Sequence, residues 1–198
     1  MSTKFIKVGS TNAVLGDHIE AVRDVLSRIP VADVERVVDA IRGAHARDGH
    51  VYILGNGGSA STATHFACDL SKATIVEGRS RLRVTSLADN VALLTAWAND
   101  TSYENVFAEQ IQSLVNPRDL VIAISASGNS PNVLKGIDAA RERGAITVGL
   151  VGCSGGELRY RVDICVHVQD HDYGVVEDCH LVLEHAITRS IKEGLLGD

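Results

Sequence analysis

The sequence lacks the features that mark membrane, secreted or nucleic-acid-binding proteins. Its longest apolar runs, Val51–Leu54 and Leu120–Ile124, are far shorter than the ~20 residues that cross a bilayer. The segment Met1–Ser10 has no apolar centre of the kind found in signal peptides, so we expect a cytoplasmic protein. A net charge of −6 provides no basic face for a phosphate backbone, which argues against nucleic-acid affinity.

Cysteine is also scarce. The four cysteines are widely separated and form no Cys-x-x-Cys pair, which favours buried thiols over disulfides or a zinc knuckle. They are Cys68, Cys153, Cys165 and Cys179. With 198 residues and no linker or low-complexity tract, the chain is most simply one domain, residues 1–198, with a sizeable core.

What the sequence does contain, from His50 onward, is an alternation of short strand-like runs with helical patterns. Such alternation predicts an α/β protein in which parallel strands are covered by helices on both faces. The strand-like runs are Val51–Leu54, Leu82–Ser86, Leu120–Ile124, Ile146–Leu150 and Ile164–Val168. In such sheets, ligands bind beyond the carboxyl ends of the strands.

Two small polar loops lie at such strand ends. The first, Asn56-Gly57-Gly58-Ser59, leads into a helical pattern whose first amides can bind an anion. The second, Ser125–Ser130, precedes Pro131, a residue suited to the first turn of a helix. Hydroxyls and amides of this kind suit a phosphate monoester where no lysine is present. Ordinary turn and cap chemistry is the alternative, but two matching loops favour phosphate binding.

The segment before the first strand is helical. Its apolar residues are spaced four, three, four and three apart and form one narrow seam. They are Leu15, Ile19, Val22, Leu26 and Ile29. The seam can pack either on a neighbouring subunit or on the chain's own second helix. We expect residues 11–48 to be a helical extension at a subunit interface.

Two histidine–carboxylate pairs stand out on two predicted helices. His65 and Asp69 are four residues apart and share a helix face. Glu177 and His185 are eight apart, which leaves them within about 80° of each other around the last helix. The two pairs suit a zinc ion with nitrogen and oxygen ligands. From the residues alone, surface or capped polar pairs remain the alternative.

Together these motifs resemble the sugar isomerase (SIS) domain family, of the phosphoheptose isomerase type. The stretches that carry the resemblance are Gly55–Ala60, His65–Ala67, Trp97–Asp100 and Ser125–Leu134. The resemblance implies a three-layer α/β sandwich with a five-stranded parallel sheet, preceded by N-terminal helices. It also implies a homotetramer with active sites between subunits.

The resemblance also assigns residues to the substrate. Ser59, Ser125, Ser127 and Ser130 would bind the phosphate, and Asn56 and Asp100 would meet sugar hydroxyls. The complete set of implied substrate contacts is Asn56, Gly57, Gly58, Ser59, Asn99, Asp100, Ser125, Ser127, Ser130 and Glu177.

The implied reaction converts sedoheptulose 7-phosphate to D-glycero-D-manno-heptose 7-phosphate through an enediol. Asp69 and His185 would be the acid–base residues, on opposite sides of the substrate. One zinc ion would be bound by His65, Asp69, Glu177 and His185. Asp69 and Glu177 depart from the family pattern, which has glutamate and glutamine at these positions. Ala126 likewise stands where the family has a threonine.

Two other functions fit the same motifs. One is an isomerase of another phosphosugar. The other is a non-catalytic SIS protein that binds a protein partner, such as the tetrameric factor that associates with replication initiator molecules. Metal content separates the isomerase from the binding factor, and a panel of phosphosugars separates the two isomerases.

Overall fold

The computed structural model describes residues 11–197, so Met1–Ser10, on which the signal-peptide expectation rests, lies outside the described residues. Five strands form one parallel sheet in the order β2-β1-β3-β4-β5. They are β1 (His50–Gly55), β2 (Arg83–Ser86), β3 (Leu120–Ser125), β4 (Ile146–Val151) and β5 (Ile164–His167). The five-stranded parallel sheet predicted from the sequence is confirmed.

Helices precede the sheet and connect its strands. They are α1 (Thr11–Arg28), α2 (Val31–Ala46), α3 (Gly58–Lys72), α4 (Val91–Asp100), α5 (Ala108–Leu114), α6 (Pro131–Glu142), α7 (Leu158–Arg161) and α8 (Tyr173–Gly197), with a 3₁₀ turn at Tyr103–Asn105. Within residues 11–197, no helix is both long and apolar enough to span a membrane.

The sheet has a hydrophobic core on each face. Successive residues of β1 enter different cores, Ile53 on one side and Tyr52 and Leu54 on the other, because side chains alternate along a strand. Helices α1, α2, α3 and α8 cover the first face, while α5, α6 and α7 cover the second. The predicted three-layer sandwich is therefore confirmed.

The central strands β1 and β3 define the place where a ligand is expected. The chain leaves β1 for the edge strand β2 and then returns to β3 on the other side of β1. Sheets with this strand order bind ligands at the crevice where the order reverses. The loops that follow β1 and β3 are the two polar loops recognised in the sequence.

The apolar seam of α1 divides into two parts. Val22, Leu26 and Ile29 pack against the core formed with α2, α3 and α8. In contrast, Leu15 and Ile19 are 59% and 66% exposed in the single chain.

All four cysteines are free thiols, as predicted. The expectation of burial holds only for Cys179, because Cys68 lies on the solvent side of α3 and is exposed.

Candidate functional site

The first loop joins β1 to α3 through a tight turn that requires a glycine. Gly57 has a φ of +55°, a conformation that residues with a Cβ rarely adopt. The first amides of α3 that bond within the turn belong to Ala60 and Ser61, which donate to the carbonyls of Asn56 and Gly57. The preceding amides lie at the positive end of the helix dipole, where an anion is favoured.

The second loop is organised by its own serines. The Ser125 hydroxyl accepts a hydrogen bond from the Gly128 amide (3.1 Å), and the Ser127 hydroxyl accepts one from the Asn129 amide (3.2 Å). Ser130 stands at the N-cap of α6 but makes no side-chain capping bond. Its hydroxyl is therefore available to a ligand.

A pair of side-chain amides connects the two loops. Asn56 and Asn132 exchange reciprocal hydrogen bonds of 2.8 Å, and the Tyr103 hydroxyl donates to the Asn56 carbonyl oxygen (2.9 Å). Asn132 is buried, and its side-chain oxygen also accepts from the Val133 amide. Neither Asn132 nor Tyr103 was among the predicted site residues. The sequence signal for Asn132 is its place directly after Ser130-Pro131.

Between the loops lies a cleft, called here the phosphate cleft. It is lined by Asn56, Ser59, Ile124, Ser125, Ala126, Ser127, Ser130, Tyr173 and Glu177. Six predicted substrate residues are therefore brought together, with Gly57 and Gly58 in the same loop. None of these lining residues is lysine or arginine, so an anion would rely on hydroxyls and backbone amides.

The structure leaves two predicted substrate residues apart from this cleft. Asn99 and Asp100 form the exposed C-terminal end of α4, where the Asn99 amide donates to the Asp100 carboxylate (2.9 Å). Their role in substrate binding stays a prediction.

A second group of polar residues lies further along α3 and α8. His65, Asp69, Glu184 and His185 each offer one ligand atom, and these atoms all lie within 4.8 Å of one another. We call these four residues the His–carboxylate cluster. Asp69 Oδ2 lies 3.8 Å from His65 Nε2 and 3.7 Å from His185 Nε2. The two imidazoles meet edge to face, with ring centroids 5.0 Å apart.

Asp69 and His185 therefore lie side by side. The expectation that they would face the substrate from opposite sides does not fit this arrangement, because a separation of 3.7 Å leaves no room for a sugar between them. The reason is helix packing: α3 and α8 lie against each other on one face of the sheet, so Asp69 and His185 meet directly across the contact between the two helices.

Glu184 is the member of the cluster that sequence reasoning missed. Its side chain is 0% exposed, and neither carboxylate oxygen has a hydrogen-bond partner among the described residues. Burial, together with the charge of nearby Asp69, raises the pKa of Glu184 to about 7. The available signal was its position on the buried stripe of α8, between His180 and Ile187, where a charged residue is unusual.

Glu177 does not belong to the cluster. Its carboxylate lies against the backbone of Gly58, where a Cβ would collide with it, and it lines the phosphate cleft. Three of the four residues expected around a metal, His65, Asp69 and His185, are thus together, and Glu184 occupies the fourth place.

The cluster fits a divalent cation. Imidazole nitrogens and carboxylate oxygens are ligands that zinc takes in proteins. The two buried oxygens of Glu184 have no hydrogen bond within residues 11–197, which leaves them free to coordinate a cation.

Comparison with known proteins agrees with this geometry. A family model described as the SIS domain matches residues 17–152. The chain belongs to the SIS-domain family. Within this family it is 38% identical over 186 residues to a phosphoheptose isomerase from Roseiflexus sp. (strain RS-1), covering 90% of this chain and 92% of that protein.

A second SIS-domain relative, a phosphoheptose isomerase from Trichlorobacter lovleyi, is 34% identical and covers 92% of each chain. The structure is similar to that of a phosphoheptose isomerase from Neisseria gonorrhoeae, with a TM-score of 0.84 and 28% identity over 92% of this chain and 96% of that one. The chain is thus a SIS-domain protein of the phosphoheptose isomerase type.

Proposed function

We propose that this protein is an aldose–ketose isomerase that converts sedoheptulose 7-phosphate to D-glycero-D-manno-heptose 7-phosphate. The observation that carries the proposal is the placement of the phosphate cleft and the His–carboxylate cluster along the same two helices, α3 and α8. The two relatives described above are phosphoheptose isomerases, and this supports the choice of substrate.

The spacing of the two regions suits a long phosphosugar. Ser59 in the cleft and His65 in the cluster are six residues apart on α3, which corresponds to roughly 9 Å along the helix. An extended seven-carbon sugar phosphate has a comparable length. Its phosphate would bind to the serines, and its carbonyl end would reach the cluster.

The chemistry requires moving one proton between neighbouring carbons. In our proposal the Asp69 carboxylate takes a proton from C1 of the ketose, and the His185 imidazole donates one to the carbonyl oxygen at C2, which gives the enediol. His185 then accepts the proton of the C1 hydroxyl, and Asp69 returns its proton to C2, which gives the aldose. Because the two side chains lie 3.7 Å apart, one face of the enediol can serve both transfers.

We further propose that zinc is the cation of the cluster, with His65 and Asp69 among its ligands, which leaves the His185 imidazole for proton transfer. Zinc, when bound, supplies a Lewis acid that polarises a carbonyl and stabilises the enediol oxygens. The support is the donor set and the buried, unpaired carboxylate of Glu184.

The test is turnover of a panel of ketose phosphates with five, six and seven carbons by the purified protein. We expect kcat/KM to be highest for sedoheptulose 7-phosphate, and unphosphorylated sedoheptulose to be a poor substrate. A clear preference for a shorter ketose phosphate would assign the protein to another phosphosugar. Absence of turnover across the panel by folded, zinc-loaded protein would favour the binding-factor function.

We also propose a homotetramer in which residues 11–48 pack at a subunit interface. The support is the exposure of Leu15 and Ile19, which leaves two of the five residues of the α1 seam uncovered in one chain. Leu15→Asp should shift the sedimentation coefficient to smaller assemblies. Ala13→Asp, about 160° around the helix from Leu15, is the matched control and should leave the assembly intact. An unchanged assembly in Leu15→Asp would defeat this proposal.

The remaining expectations stay predictions. They are a single domain over residues 1–198, a cytoplasmic location and the absence of nucleic-acid partners.

A further inference from the structure

Tyr103 combines an exposed ring with a hydroxyl that is held at the edge of the phosphate cleft. The residue lies in the 3₁₀ turn after α4, and it is 59% exposed. Its hydroxyl oxygen nevertheless lies 2.9 Å from Oδ1 of Asn56, which lines the cleft. Tyr103 thus brings a polar atom to the cleft from a turn that supplies none of the lining residues named above.

The turn that carries Tyr103 is anchored on both sides. Val106 and Phe107, which follow it, are 0% and 1% exposed and belong to the second hydrophobic core. On the other side, the Lys135 ammonium group on α6 donates to the Glu104 carboxylate at 2.7 Å. The position of Tyr103 is therefore set by its neighbours before any ligand arrives, which lowers the entropy cost of binding.

One backbone amide fixes the direction of every hydrogen bond around Asn56. The Val133 amide donates to Asn132 Oδ1 at 3.0 Å, so this atom of Asn132 is an acceptor. Asn132 Nδ2 then donates to Asn56 Oδ1, and Asn56 Nδ2 donates back to Asn132 Oδ1. Because Asn56 Oδ1 only accepts, the Tyr103 hydroxyl is the donor in the bond that joins them.

This arrangement leaves one donor and one acceptor unused. Asn56 Oδ1 accepts two hydrogen bonds, and Asn56 Nδ2 keeps one hydrogen for which residues 11–197 provide no acceptor. The Tyr103 oxygen has given its own hydrogen to Asn56 and can still accept one. A sugar hydroxyl is both a donor and an acceptor, so a single hydroxyl can bond to both residues.

We propose that Tyr103 is a specificity-determining residue. Together with Asn56, it binds the hydroxyl on the carbon next to the phosphate-bearing carbon, which is C6 of sedoheptulose 7-phosphate. Asn56 precedes Ser59 by three residues in the same cleft-lining loop, which places the pair near the phosphate. The sugar hydroxyl donates to the Tyr103 oxygen and accepts from the Asn56 amide. The inference rests on the proposed function for the identity of the sugar.

The experiment compares two sugars in three full-length proteins. The sugars are sedoheptulose 7-phosphate and its 6-deoxy analogue, and their Kd values are measured by calorimetric titration. The proteins are wild type, Tyr103→Phe and the matched control Tyr160→Phe, which makes the same change at a 78% exposed tyrosine on α7.

Wild type and Tyr160→Phe should bind the hydroxylated sugar about five- to tenfold more tightly than the deoxy sugar, as expected for one or two hydrogen bonds. Tyr103→Phe should bind the two sugars with affinities within about twofold of each other. The deoxy sugar should bind wild type and Tyr103→Phe alike, because it lacks the group that the hydroxyl of Tyr103 contacts.

Two further readouts separate a contact with the sugar from a structural role. Tyr103→Phe should raise the KM for sedoheptulose 7-phosphate and leave kcat within about twofold of wild type, since the lost bond is uniform binding. Its melting temperature should fall by less than about 4 °C, because a single hydrogen bond contributes little to stability. A structural role would instead weaken the binding of both sugars by the same factor.

Three results would overturn the inference. One is that Tyr103→Phe weakens the binding of both sugars equally. Another is that Tyr103→Phe keeps the full preference for the hydroxylated sugar, and the third is that wild type has no such preference. The inference and the proposed function can fail separately. Loss of the preference in Tyr103→Phe, in a protein that binds but does not isomerise the sugar, would defeat only the proposed function.

Discussion

The phosphate cleft and the His–carboxylate cluster are both polar, but they differ in how their polar groups are paired. In the cleft, Asn56 and Asn132 bond to each other, and the Ser125 and Ser127 hydroxyls accept backbone amides of their own loop. In the cluster, the carboxylate of Glu184 has no hydrogen bond from the part of the chain that the structure describes, and the ion-pair distances run from 3.3 to 3.8 Å.

This difference separates two ways of building a site. The cleft is preorganised by bonds within the protein, so its shape is set before a ligand arrives. The geometry of the cluster is set by the packing of α3 on α8. A bound cation would satisfy its unpaired groups. We therefore expect substitutions in the cleft to change stability and substrate affinity, and substitutions in the cluster to change turnover and metal binding.

The largest effect is expected from Asp69→Asn. An amide keeps the shape of the side chain but cannot accept the proton from the sugar, so kcat should fall by about 10²–10⁴-fold. Asp39→Asn, the same change at an exposed position on α2, is the control and should leave kcat unchanged. Both are measured as initial rates with sedoheptulose 7-phosphate. A normal rate in Asp69→Asn would show that Asp69 is not the residue that accepts the proton.

The pH dependence of stability should reveal a second buried titratable group on α8. His180 is 0% exposed, and burial lowers its pKa from 6.5 to about 4. At pH values between about 4 and 6.5, His180 binds a proton in the unfolded chain but not in the folded chain. The free energy of unfolding therefore falls as the pH drops from about 6.5 to 4. The loss from this residue should be roughly 3 kcal/mol.

The measurement is urea unfolding of metal-free protein at several pH values, compared with His180→Gln. The glutamine variant does not titrate at this position, so its stability should decline less steeply over the same range. Parallel curves for the two proteins would show that His180 does not carry this dependence.

Asn132→Ala tests the connection between the two loops. It leaves the Asn56 amide without its reciprocal partner, which should cost about 1–3 kcal/mol of unfolding free energy. The KM for the phosphosugar should rise as the loops separate. Asn105→Ala, which removes only an exposed bond to Lys135, should stay within about 0.5 kcal/mol of wild type. Equal effects of the two substitutions would contradict a special role for the amide pair.

The smallest effect on stability is expected from Ser130→Ala. The Ser130 hydroxyl makes no capping bond, so its loss should change the unfolding free energy by less than about 0.5 kcal/mol. A hydrogen bond to a charged phosphate contributes about 1.5–3 kcal/mol, so KM should nevertheless rise about tenfold or more. A loss of stability without a change in KM would make Ser130 a structural residue of α6.

The sequence alone was sufficient for the fold because its signals are local. Strand-like runs such as Leu120–Ile124 and the glycine and serine loops after them depend on neighbouring residues, and the alternation with helices then restricts the topology. The meeting of the two loops at the crevice between β1 and β3 follows from that topology.

The cluster was harder to predict because it depends on the packing of two helices that are distant in the sequence. Helical spacing places His65 with Asp69, but it does not say which turn of α8 lies opposite them. Glu177 and Glu184 are two turns apart on nearly the same face of α8, so periodicity alone does not choose between them. Only the contacts of α3 with α8 place Glu184 in the cluster and Glu177 at Gly58.

The most direct test of the proposed function is the turnover of sedoheptulose 7-phosphate by protein as isolated, after chelation, and after zinc is restored. We predict turnover that falls on chelation and recovers with zinc, because the cleft binds the phosphate while the cluster needs its cation. No turnover in any of the three states by folded protein would contradict the assignment of this chain as a phosphoheptose isomerase.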